Sequence, residues 1–188
     1  MFIPIWTYAI LVLFKYQYSY DSYKSPFNKS YIDVTSNGTL MTCIYPGDKS
    51  FKKGSPTLPR AELRSIEEWG SPFYRLAFNV SVLKVPQGTD YSVFQVFGGG
   101  SPLLMIRHRK GRKEMVVFDG LPKIQAITTW PKSCIVDCKA KQVDCDGWQS
   151  KGQLDCSSLY FKVGVYAQGQ KPKEKMCIEY GAIKYGML

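Results

Sequence analysis

Residues 160–168 read YFKVGVYAQ, from Tyr160 to Gln168. Side chains of a β-strand alternate between two faces, so Phe161, Val163, Val165 and Ala167 form one apolar wall. The opposite face carries Tyr160, Lys162, Gly164, Tyr166 and Gln168. A strand with one core face and one face of tyrosine, lysine and glutamine belongs to a sheet that is buried on one side only. Its polar side either meets water or holds a polar ligand.

Working outward, the same two-residue period recurs. FYRLAFNVSVLKV (Phe73–Val85) reads as one half-buried strand, with Tyr74, Leu76, Phe78, Val80 and Val82 inward and Arg75, Asn79 and Ser81 outward. DYSVFQVFGGG, SPLLMIRHRKG, KEMVVFDG and MCIEYGAIKYG add further short runs bounded by Gly, Pro and Asp turns. Helical periodicity is confined to the short RAELRSIEEW, which reads equally well as strand or helix turn. Residues 21–58 are rich in Ser, Asn, Asp, Gly, Pro and Lys, and read as loops and short strands on the outside. Residues 120–158, with Pro122, Pro131 and four cysteines, read as one long irregular insertion. No repeat or long linker divides the chain, so residues 21–188 are expected to form one all-β domain, a sandwich or barrel.

The first 14 residues, MFIPIWTYAILVLF, form an apolar run suited to a secretory leader and short for a membrane span. Cleavage is expected near residue 20, with no stable membrane association afterwards. An uncleaved anchor is the other reading. Six cysteines (Cys43, Cys134, Cys138, Cys145, Cys156, Cys177) and sequons at Asn28, Asn37 and Asn79 fit an oxidising, glycosylating route. The cluster from Cys134 to Cys156 is spaced unlike common zinc sites, so all six are expected in disulfides and no metal site is assigned. Fifteen pairings remain open. A formal net charge of +10 favours a polyanionic partner. No nucleic-acid motif accompanies it, and an acidic polysaccharide suits a secreted, monomeric protein better.

Two further stretches carry polar residues at alternate positions. In PRAELRS, read as extended, Arg60, Glu62 and Arg64 share a face; in FQVFG, Gln95 and Phe97 do. The ordered series PRAELR, FQVF and YFKVGVYAQ resembles the alginate lyases of polysaccharide lyase family 7. That family's motifs read R-S/T-E-L/V-R, Q-I/V-H and Y-F-K-A-G-x-Y-x-Q, and the closing IEYGAIKYG resembles its last strand. The resemblance implies an antiparallel β-jelly roll whose concave groove is lined by Arg60, Glu62, Arg64, Gln95, Phe97, Lys162, Tyr166 and Gln168. It further implies β-elimination on a polyuronate, alginate or glucuronan in type, without a cofactor.

The residue types suit that chemistry. Removing the C5 proton beside a carboxylate requires the carboxylate's charge to be neutralised, a role for Arg60 and Gln95. The resemblance assigns proton transfer to Tyr166. At the family's histidine stands Phe97, and the one histidine of the chain is His108. It is a displaced catalytic candidate, or a structural residue sharing a face with Leu104 and Ile106; Arg107 beside it is a candidate substrate contact. Phe97 also leaves open a glycan-binding protein without activity. A third class, an adhesive or toxin-like secreted protein, accounts for the charge and cysteines but not for the ordered motifs. Glycoside hydrolysis needs two carboxylates, and among the polar strands only Glu62 supplies one.

Overall fold

A computed structural model describes residues 14–18, 32–34, 39–50, 54, 56–65, 73–77, 79–119, 121–151, 155–157, 159–181 and 184–187. Regular structure among them is entirely β. The strands in chain order are β1 Phe14–Tyr18, β2 Ile32–Val34, β3 Leu40–Ile44, β4 Arg60–Ser65, β5 Phe73–Ala77, β6 Val80–Lys84, β7 Asp90–Gly98 and β8 Ser101–Arg109. There follow β9 Arg112–Asp119, β10 Leu121–Ile127, β11 Ser133–Asp137, β12 Gln142–Cys145, β13 Trp148–Lys151, β14 Tyr160–Gln168, β15 Met176–Tyr180 and β16 Lys184–Met187.

All pairings are antiparallel and build three sheets: seven strands in the order β1-β4-β14-β7-β8-β9-β10, five in the order β13-β12-β11-β5-β16, and four in the order β2-β3-β15-β6. The core joins all three. Leu63, Phe94, Val96, Ile106, Phe161, Val163 and Val165 of the large sheet pack with Leu40, Ile44, Ile178 and Tyr180 of the four-stranded sheet and Val136 and Val143 of the five-stranded one. This is the sandwich expected from the alternation. The apolar wall of β14 is buried throughout, from Phe161 to Ala167.

Four local readings are corrected. Phe73–Val85 is two strands: β5 lies in the five-stranded sheet and β6 in the four-stranded one. The sequence alternates alike through both, so only the partner strands separate them. The supposed irregular insertion holds β10 to β13, because its cysteines and prolines sit within or beside ladders. RAELRS is strand β4. In the segment read as external, β3 is central, with Leu40, Cys43 and Ile44 fully buried.

All six cysteines are paired, so the four clustered sulfurs are used in disulfides. Cys43–Cys177 joins directly opposed residues of β3 and β15, Cys134–Cys145 those of β11 and β12, and Cys138–Cys156 ties the loop before β14 to the turn after β11. Of the stretch read as a leader, residues 1–13 lie outside the described residues, and Phe14–Tyr18 forms β1 against β4. Asn28 and Asn37 also lie outside them, while Asn79 is exposed before β6.

Candidate active site

The outward face of the seven-stranded sheet is built from cross-strand rows. Arg60 of β4 is opposite Tyr166 of β14, which is opposite Ser92 of β7, then Arg107 of β8 and Glu114 of β9. A second row runs Arg64, Lys162, Gln95, Met105, Val116 and Ile124. Beyond it Tyr160 faces Phe97. Antiparallel pairing brings residues distant in sequence to neighbouring positions about 5 Å apart. Arg60, Gln95, Lys162 and Tyr166 therefore share one surface.

Glu62 lies on this face and is 1% exposed. It accepts a hydrogen bond from the Gln95 amide and stands 3.6 Å from the Arg60 guanidinium. Burial pushes its carboxyl above the usual range, against the pull of Arg60, Lys162 and Gln95. Through Oε1 it orients the Gln95 amide, while Oε2, the oxygen nearest Arg60, is buried without a hydrogen-bond partner among the described residues. Glu62 and Gln95 are equally buried, at 1% exposure, and both belong to the face that the resemblance makes the groove.

The cations are seated on aromatic rings. The Arg60 guanidinium lies 4.0 Å from the Tyr166 ring centre, Arg64 lies 3.7 Å from Tyr160, and the Lys162 ammonium lies 4.0 Å from Phe97. Tyr160 and Phe97 stack at 5.2 Å. These contacts fix long side chains that would otherwise lose entropy on binding a ligand. Lys162 is 5% exposed, and burial lowers its pKa to about 8, with Glu62 opposing and Arg60 and Arg64 adding to the shift. Burial also raises Tyr160.

Between Lys162 and Tyr166 the ladder is irregular: Val163 is opposite Phe94 and Tyr166 is opposite Ser92, so two residues of β14 face one of β7. This bulge resets where Tyr166 stands along the strand. Gly164 makes it possible, with φ +146°, since a Cβ there would lie 2.1 Å from the Ala61 carbonyl oxygen. The backbone groups released by the bulge are satisfied from the four-stranded sheet. Gly164 N–H donates to the Tyr180 hydroxyl at 3.0 Å, Tyr180 donates to the Val93 carbonyl at 2.5 Å, and Val165 N–H donates to Thr42 at 3.1 Å.

Of the remaining candidates, Gln168 is on the same face, two positions past Tyr166. Arg107 is there too, but its Nε donates to Glu114 at 2.5 Å. His108 is not brought to the site. It lies on the core side of β8, stacked on Tyr91 at 5.2 Å with Nδ1 3.2 Å from the Thr89 carbonyl. Sequence reasoning missed Ser92, Thr42 and Tyr180. Ser92 Oγ and Gln168 Nε2 are buried polar atoms without a hydrogen-bond partner among the described residues, and they flank Tyr166. Buried polar atoms are nearly always satisfied, so an empty pair beside a tyrosine marks a place where a ligand's polar groups fit.

The fold and this face define a β-jelly roll with a cationic, aromatic-backed surface on its largest sheet. Alginate lyases share that architecture. The family 7 alginate lyase A1-II′, solved in complex with substrate, superposes with a TM-score of 0.72 over 94% of this chain and 93% of that one at 15% identity. An alginate lyase of Pseudomonas aeruginosa matches over 98% of this chain and all of that one, at 16% identity and a TM-score of 0.69. No protein-family profile matches the chain. A citrate-binding protein of Hevea brasiliensis is 38% identical over 78 residues, 40% of this chain and 31% of that protein. The match thus spans less than a third of that relative's length.

Proposed function

We propose that the protein is a secreted polysaccharide lyase that cleaves a uronate-containing acidic polysaccharide by β-elimination. The observation that carries this reading is the convergence of Arg60, Gln95, Lys162 and Tyr166 on one sheet face, with Glu62 hydrogen-bonded to Gln95 and paired with Arg60. Arg60 and the second N–H of the Gln95 amide bind the uronate carboxylate, and their charge and dipole stabilise the carbanion formed as the C5 proton leaves. The electron pair forms the C4–C5 double bond, the C4–oxygen bond breaks, and the leaving oxygen takes a proton. Tyr166 accepts the C5 proton on its phenolate oxygen as general base and returns it to the leaving oxygen as general acid. Lys162 and Arg64 attract the neighbouring carboxylates of the polymer. The three disulfides support an extracellular setting.

A second reading, carboxylate binding without cleavage, is favoured by Phe97 and by the partial identity with a citrate-binding protein. Both readings use the same cations. Incubation with a panel of polyuronates separates them. The lyase reading expects near-ultraviolet absorbance from an unsaturated uronate, which hydrolysis does not produce. Binding to polyuronates or citrate with no unsaturated product from any polymer would move the assignment to the second reading.

A further inference from the structure

The β8–β9 hairpin carries RHRKGR at Arg107–Arg112, a charge cluster that the proposed reaction leaves unused. Arg109 and Arg112 are directly opposed across the hairpin. By strand alternation from Arg107 and Glu114, both belong to the outward face, one step beyond the row that contains Tyr166 and Ser92. Along β8, Arg109 stands about 7 Å past Arg107. Both are exposed and have no ion pair or side-chain hydrogen bond among the described residues. Asp90, the neighbouring carboxylate, accepts the Lys110 N–H through Oδ1 at 2.8 Å and leaves a negative charge beside the pair. Glu114 is held by Arg107.

Like charges directly opposed on a sheet destabilise it. Nothing in the hairpin relieves this pair, yet the turn that presents it is firmly built. Lys110 and Gly111 have φ of +49° and +80°, the two left-handed residues of a tight hairpin turn, and Asp90 pins the first of them. Between this pair and Tyr166 lie two of the buried polar atoms without hydrogen-bond partners among the described residues, Ser92 Oγ and Gln168 Nε2. The arginine pair and these polar atoms lie along one path.

Resting on the polyuronate reading above, we infer that Arg109 and Arg112 form an accessory clamp for a carboxylate of the same polymer chain as it leaves the site past Tyr166 and Gln168. The clamp serves long chains and is out of reach of short ones.

The test compares the double variant Arg109→Ala/Arg112→Ala with the control Lys132→Ala/Lys139→Ala, which removes the same charge from exposed loop positions on either side of β11. Binding is measured by calorimetry in a Tyr166→Phe background, so that no chain is cut, using a long polyuronate and a uronate trisaccharide at low and high salt. The expected result is an affinity for the long chain about tenfold lower than the control's, with a weaker salt dependence. Trisaccharide affinity should match the control, and the thermal midpoint of the free double variant should stay level or rise. Equal long-chain affinity in variant and control, or equal losses on both ligands, would overturn the clamp and leave the lyase reading intact. A parent protein that binds no polyuronate of any length would overturn both.

Discussion

The outward face of the seven-stranded sheet has two unlike halves on one continuous ladder. On β4, β14 and β7 the second row reads Arg64, Lys162 and Gln95; on β8, β9 and β10 it continues as Met105, Val116 and Ile124. The first half holds a buried carboxylate and is broken by a bulge pinned from the opposite sheet. The second half is apolar in that row, with Met105 and Val116 buried outside the main core cluster. One continuous ladder therefore carries two different surfaces. The difference teaches that the sheet supplies spacing, while the chemistry comes from where desolvation costs have been accepted: Glu62, Lys162 and the bulge.

The largest expected effect lies at the centre of the polar half. Tyr166→Phe should cut turnover at least about a hundredfold with polymer affinity nearly unchanged, because general acid–base catalysis contributes about 10² to 10⁴ in rate. Arg60→Ala should weaken affinity and turnover together, since the carboxylate it meets is charged before the proton leaves. Measuring both parameters for each variant breaks the comparison if the two losses look alike.

Next comes the support of the bulge. Tyr180→Phe removes one hydroxyl and strands two buried backbone groups, Gly164 N–H and the Val93 carbonyl. Denaturant unfolding should show a loss of about 2 kcal/mol. An unchanged midpoint would mean that the bulge is held by other contacts.

A smaller and sharper effect concerns Lys162. Below about pH 8 it is protonated and attracts carboxylates, so affinity should fall as pH rises through 8, by about tenfold between pH 7 and 9. Lys162→Arg should flatten that dependence. Stability has the opposite sign. The folded pKa is lowered from 10.5, so above about pH 8 the unfolded chain binds more protons than the folded one and stability rises with pH, until the buried tyrosines Tyr91 and Tyr180 oppose it at higher pH. Parallel pH profiles of affinity and unfolding would contradict this placement of Lys162.

Smallest of all, Ile124→Ser in the apolar half should change stability by less than about 0.5 kcal/mol and leave turnover alone, because the side chain is 56% exposed on an edge strand. A large loss of turnover there would extend the site across the whole sheet.

Much of this was legible in the sequence. The alternation of YFKVGVYAQ separated the core wall of β14 from its outward face, and the even cysteine count matched complete pairing. What escaped depended on partners distant in the chain. Nothing local divides FYRLAFNVSVLKV, since Phe78 and Asn79 continue the alternation. The ladder of β11 and β12 is formed across Cys134 and Cys145, whose spacing had resembled a stapled loop. Alternation grouped His108 with Leu104 and Ile106, but only the packing of the three sheets shows that this is the core side. Glu62 had the right face, and its bond to the Gln95 amide comes from β7, 33 residues along the chain. Gly164 was the sole local trace of the bulge, and its anchors Thr42 and Tyr180 come from β3 and β15.

The most direct measurement is a crystal structure of the Tyr166→Phe variant with a uronate oligosaccharide. The account expects a sugar carboxylate within hydrogen-bond distance of Arg60 and Gln95, with the adjoining ring against position 166 on the β4–β14–β7 half. An oligosaccharide lying instead over Met105, Val116 and Ile124, or bound away from this face altogether, would contradict it.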